Sequence, residues 1–143
     1  MTIAAIIGTK GADVFSVTPD TQVAQVVALL AERRIGAVPV VDADGVHGVF
    51  SERDVIRLLA DGGGSVRLDM PVSAAMTVPP VTVAPDDSVL GALSVMTHRR
   101  IRHLPVVKDG RIVGIVSIGD LVKYRIDRIE AEASAMRDYI QQA

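Results

Sequence analysis

Two four-residue phrases, Ser51-Glu52-Arg53-Asp54 and Ser117-Ile118-Gly119-Asp120, each place a hydroxyl three residues before a carboxylate. That spacing supports two chemistries. In the first, Ser and Asp form a capping box: the hydroxyl caps the helix that follows and the carboxylate bonds back to the N–H of the cap residue. In the second, the free N–H groups at the helix start favour a phosphate, and the carboxylate accepts hydrogen bonds from both hydroxyls of a ribose, as in dinucleotide folds. Spacing alone favours the cap. The chain also distributes its cations unevenly. Residues 33–41 read RRIGAVPVV and residues 99–107 read RRIRHLPVV, so Gly36-Ala37 in one phrase becomes Arg102-His103 in the other. Arg102 offers bidentate, charge-assisted hydrogen bonds to phosphate oxygens. His103 offers one more donor and gains charge when an anion raises its pKa. Arg99 and Arg100 merely repeat Arg33 and Arg34 and read as the basic end of a helix.

These phrases belong to a longer internal repeat. At an offset of 66, Val17, Pro19, Asp20 and Val23 return as Val83, Pro85, Asp86 and Val89, and Gly48, Ser51 and Asp54 return as Gly114, Ser117 and Asp120. Each copy predicts a short strand (residues 14–17; 80–83) ending at Pro-Asp. A helix follows, with apolar residues at i, i+3, i+4 and i+7: Val23, Val26, Val27, Leu30, then Val89, Ala92, Leu93, Met96. Two apolar runs joined at Asp44-Gly45 or Asp109-Gly110 predict a hairpin, and a second helix opens at the Ser-x-x-Asp phrase. The order is β-α-β-β-α, twice, an α/β (α+β) chain of two lobes about a pseudo-twofold axis. The expected division is a first repeat over 1–62, a Gly-rich linker over 63–70, a second repeat over 71–126 and a helical extension over 127–143. Short helical pieces ahead of each copy, IAAI and SAAM, are expected to pack against the opposite lobe.

Composition narrows the function. The net charge of −2 gives no global attraction to nucleic acid or an anionic membrane, and aromatics are too few to interleave with the basic HRRIRH stretch. With no cysteine, disulfides and thiolate metal sites are excluded. His47, His98 and His103 show no metal-ligand pattern with carboxylates along the chain, and no nucleophile–base arrangement stands out, so neither metal nor catalytic residues are expected. The opening MTIAAIIGTK lacks the basic region of a signal peptide, and a cytoplasmic protein is expected.

The tandem β-α-β-β-α repeat with its "PVV…G-x-x-S-x-x-D" endings resembles a pair of CBS domains, in the form of the small stand-alone bacterial proteins built from one pair. The resemblance covers residues 1–126. It implies a non-catalytic regulatory module that binds an adenosine-containing nucleotide between the repeats, AMP or NAD first and ADP or ATP next, without a catalytic cofactor. Carried over, Asp120 grips ribose, Ser117 faces phosphate, Ile101 edges an adenine slot beside Pro105, and main-chain groups near Pro80-Val81 read the base. Arg102 and His103 then stand at the phosphate, with Arg53 reaching toward the same cleft. A second, weaker site would use Ile35, Gly36, Pro39, Ser51 and Asp54. The two prolines also read simply as residues at strand starts. The expected tight site is the one centred on Asp120.

Beyond the repeat, Val122, Ile126, Ile129, Ala133, Met136 and Ile140 step by four and three, a heptad seam. It predicts either a helix folded back on its own domain or, preferred here, one packed on a second subunit. The expected partners are a nucleotide, a second copy and an effector protein. The alternative is a structural dimerisation module with empty clefts.

Overall fold

The computed structural model describes residues 1–11, 13–63 and 67–142. Helix α2 (Val23–Arg33) buries Val23, Val26 and Leu30, and α4 (Val89–Arg99) buries Val89, Ala92 and Met96, the stripes the periodicity predicts. Strands β1 (Ala37–Asp42) and β2 (Gly45–Ser51) form one antiparallel hairpin, and β3 (His103–Lys108) and β4 (Arg111–Ser117) form the other. Both hairpins are bulged at the same place, after Val40 and after Val106. The two Asp-Gly signals are not equivalent. Asp109 and Gly110, with φ of 53° and 76°, make the two-residue turn of the second hairpin, whereas Gly45 already belongs to β2.

The expected first strand of each copy reduces to a single parallel bridge, Val17 to Val40 and Val83 to Val106. The Val17 N–H donates to the Pro39 carbonyl (3.1 Å) and the Val41 N–H to Val17 (2.8 Å), a pattern repeated by Val83, Pro105 and Val107. Pro39 and Pro105 lie inside β1 and β3, and the edge of each that faces this bridge has no N–H to donate at the proline, which limits the pairing.

Sequence-local pieces cross between lobes. Helix α1 (Ile3–Lys10) buries Ile3 and Ile6 among the core residues of the second repeat, and a 3-10 turn (Val72–Ala74) buries Val72 in the core of the first. Their anchors match: Ile3 and Ala4 donate to the carbonyls of Asp87 and Pro85, Val72 and Ser73 to those of Thr21 and Pro19. Glycines at equivalent positions let them in. A Cβ at Gly48 would lie 2.7 Å from the Thr77 carbonyl oxygen, and one at Gly114 would run into Ile7. Within the expected linker, residues 64–66 lie outside the described residues. Leu68 and Met70 pack on the first core and accept hydrogen bonds from α2.

Helices α3 (Glu52–Asp61) and α5 (Ile118–Gln142) open at the two Ser-x-x-Asp phrases. The heptad helix does not fold back. Leu121 is buried and Tyr124 packs on the second core, but α5 continues to Gln142 with every residue from Ile126 onward exposed. No helix among the described residues is long and apolar enough to cross a membrane.

Candidate functional site

The two repeats meet where β1 and β3 begin. The Glu52 N–H donates to the Gly36 carbonyl (3.0 Å) and the Ile118 N–H to the Arg102 carbonyl (2.8 Å), so each strand start is tied to the helix start of its own repeat. The side chains at these starts lie near the other repeat. The His103 ring stands over Gly36, where a Cβ would sit 3.0 Å from Cε1. The smaller pair of the first copy thus leaves the room that the larger pair of the second copy uses.

A cavity of about 200 Å³ opens at this junction. Its lining combines the apolar Val49, Pro79, Pro80, Val81 and Ile101 with Arg53, Arg57, Arg102 and His103. Glu52 is the one carboxylate on the lining, and Ser51 and Thr77 join it. Arg53 crosses from α3 to donate to the carbonyl of Arg100, the left-handed cap of α4, and so bridges the two repeats at the cavity rim. Three guanidiniums against one carboxylate leave the lining net positive.

Asp54 stands behind this lining. It is 1% exposed, and its carboxylate accepts from the Ser51 N–H (2.9 Å), the Ser51 hydroxyl (3.3 Å), the Thr77 hydroxyl (2.8 Å) and Arg57 (2.6 Å). It presents Arg57 and Thr77 to the cavity rather than itself.

Asp120 and Ser117 lie elsewhere. Asp120 faces a second cavity between α1 and α5, beside Lys10, Lys123 and Tyr124. There the Lys10 ammonium bonds the carboxylate at 2.6 Å and the Ile115 carbonyl at 2.9 Å, while Ser117 and Asp120 complete a reciprocal capping box. Burial pushes the Asp120 carboxyl up, but the Lys10 ammonium and the Ser117 N–H together outweigh it and hold the group below the ordinary carboxylate range.

A family model described as CBS domain matches residues 7–61 and 72–127. The chain belongs to the CBS domain family. It is 35% identical over 129 residues to the mitochondrial CBS domain-containing protein CBSX3 of Arabidopsis thaliana, a match covering 87% of this chain and 62% of that protein, so the chain spans about three fifths of its length. A solved CBS-domain-containing protein of Agrobacterium tumefaciens superposes with a TM-score of 0.80 at 41% identity, covering 87% of this chain and 92% of that one. A CBS domain protein of Pyrobaculum aerophilum, solved in complex with AMP, superposes with a TM-score of 0.73 at 28% identity over 84% and 89% of the two chains.

In this CBS pair the residues expected in one site divide between two places. Arg53, Pro80, Val81, Ile101, Arg102 and His103 share the cavity with Gly36 and Ser51, which sequence reasoning had assigned to the other site. Asp120 is engaged by Lys10 in the second cavity, and Ile35, Pro39 and Pro105 line neither. Arg57, Thr77 and Lys10 were missed. Arg57 had a signal, because its counterpart at the 66-residue offset, Lys123, is also basic and both sit one turn beyond the Ser-x-x-Asp carboxylate. Thr77 and Lys10 belong to the crossing pieces, and their sites appear only once the crossing is known. The hairpin turn adds another departure: ligand atoms of Asp42, Asp44 and His47 lie within 4.8 Å of one another, held by a 2.6 Å contact between His47 and Asp42.

His103 is the one histidine on the lining. Burial, and then the neighbouring Arg102, hold its pKa below the ordinary value of 6.5; Lys10 adds to this, while Glu52 and Asp120 oppose it. The unfolded chain therefore binds more protons than the fold between the lowered value and 6.5, and the free protein loses stability as pH falls through that window. An anion bound beside the ring would favour imidazolium, so such binding would take up a proton and tighten as pH falls through the same window. Melting curves from about pH 5 to pH 8 are expected to show both trends in the native chain and neither in His103→Gln. NAD is the probe to use in the binding arm, because a phosphate monoester itself titrates at about pH 6.

Proposed function

We propose that the chain is a non-catalytic regulatory module acting in the cytoplasm, and that it senses an adenine nucleotide in the cavity lined by Arg102. AMP and NAD are the favoured ligands, ahead of ADP and ATP, because one cavity of this size suits few phosphates better than three. The observation that carries this reading is a single cavity whose lining holds apolar residues together with three arginines and a histidine. The flat apolar base fits between Ile101, Val81 and Pro80, and the phosphate meets Arg102, His103, Arg57 and Arg53. The AMP complex of the Pyrobaculum aerophilum relative supports the ligand class. The ribose remains for the Asp54 side, where its hydroxyls would replace Thr77 or Arg57 on the carboxylate. A second copy, joined along the seam of α5, is the proposed partner, and an effector protein reads the bound state.

A thermal-shift screen tests the ligand class. A ligand at about 100 times its Kd adds about 2.7 kcal/mol to the stability of the state that binds it, a shift of roughly 6–11 °C in Tm for a chain of this size. AMP or NAD is expected to give it. S-adenosylmethionine, with a sulfonium in place of phosphate, is expected to give much less. No shift with any adenine nucleotide would favour the structural module with empty clefts.

A further inference from the structure

The exposed half of α5 carries a pattern that selects how two copies meet; this inference rests on the reading that the seam joins them. Ile126, Ile129, Met136 and Ile140 are each about half exposed or more, in the stretch of α5 that is exposed at every residue to Gln142. With Ile126, Ala133 and Ile140 at the a positions and Val122, Ile129 and Met136 at d, the flanking e positions are Lys123, Glu130 and Arg137, and two flanking g positions are Arg125 and Glu132. In a parallel, in-register pair each g residue faces the e residue of the next heptad on the other helix. Arg125 then meets Glu130 of the second copy and Glu132 meets Arg137, and the twofold axis doubles both pairs. In an antiparallel pair overlapping along the whole seam, e meets e and g meets g. Lys123 then faces Arg137, Glu130 faces Glu130, and Glu132 faces Glu132, all of like charge.

We propose that α5 pairs with α5 of a second copy as a parallel, in-register two-stranded coil, with both CBS bodies at the same end. The nucleotide cavities of the two copies then lie on one side of the assembly, and α5, which continues from the second repeat without a break, connects them to the coil.

The absence of cysteine makes the test clean. Ile140→Cys places one thiol per chain on the seam, and Asp138→Cys places one on the outer face. In the parallel arrangement Ile140→Cys is expected to oxidise to a covalent dimer while Asp138→Cys stays uncrosslinked. In the antiparallel arrangement Ile140 lies opposite Val122, about 27 Å along the helix from its own counterpart, far beyond the ~7 Å limit for a disulfide. A dimer by sedimentation in which Ile140→Cys fails to crosslink, but does so when mixed with Val122→Cys, would overturn the orientation alone. A monomer would overturn the seam as an interface, and equal crosslinking of both single variants would overturn the register. As an independent readout, Glu130→Arg is expected to weaken the dimer roughly tenfold, and adding Arg125→Glu in the same chain to restore it; no rescue would count against the parallel coil.

Discussion

Arg102→Ala is expected to weaken AMP or NAD binding about tenfold to a hundredfold and to leave adenosine binding nearly unchanged. The magnitude follows from the ~1.5–3 kcal/mol carried by a hydrogen bond to a charged group. In the proposed binding mode Arg102 meets the phosphate and the apolar lining residues meet the base, so its contribution would depend on the phosphate. The loss is bounded above because Arg53, Arg57 and His103 remain on the lining of the same cavity. Arg57→Ala should behave like Arg102→Ala in direction, with an added effect from releasing Asp54. Calorimetry on AMP and adenosine checks this. Equal losses for both ligands would place Arg102 at the base or in the fold instead of at the phosphate.

The second large effect separates two carboxylates that the sequence presents as equals. Asp54→Ala is expected to cost about 2–4 kcal/mol of stability. It removes a buried acceptor from the Ser51 N–H and the Thr77 hydroxyl, each an unmet group worth ~1–3 kcal/mol if it finds no water. Arg57 is half exposed and turns to solvent, so its share is small. Asp120→Ala is expected to cost about 1 kcal/mol, the ordinary loss of a helix-start acceptor, because Asp120 and Lys10 are both partly exposed and rehydrate. Urea unfolding of both variants, compared through midpoint and slope, decides the matter. Equal losses would mean that Asp54 is no more enclosed in solution than Asp120.

The division between what was and was not legible in the sequence follows a physical line. Helices α2 and α4, the hairpins and the helix-opening Ser-x-x-Asp phrases depend on local spacing, so periodicity and turn residues show them. The crossing of α1 and the 3-10 turn agrees with the expected packing of IAAI and SAAM against the opposite lobe. The site was only partly legible. The break from Gly36-Ala37 to Arg102-His103 marked the right residues, but not which carboxylate they would accompany. That depends on where side chains point at the junction of two repeats and on Lys10, which arrives from α1 to engage Asp120. No spacing along one repeat encodes a contact supplied by the other. The hairpin cluster of Asp42, Asp44 and His47 was hidden for a related reason: the turn, not the separation in sequence, brings their ligand atoms within 4.8 Å.

In the proposed binding mode a nucleotide phosphate rests on the arginines between the repeats, in front of Asp54. The measurement that addresses it most directly is a crystal structure of the full chain with AMP. Phosphate density is expected in contact with Arg102 and at least one of Arg53, Arg57 and His103, with the base against Ile101, Val81 and Pro80, and Lys10 still bonded to Asp120. AMP found against Asp120, with Lys10 displaced and the arginine-lined cavity unfilled, would contradict it.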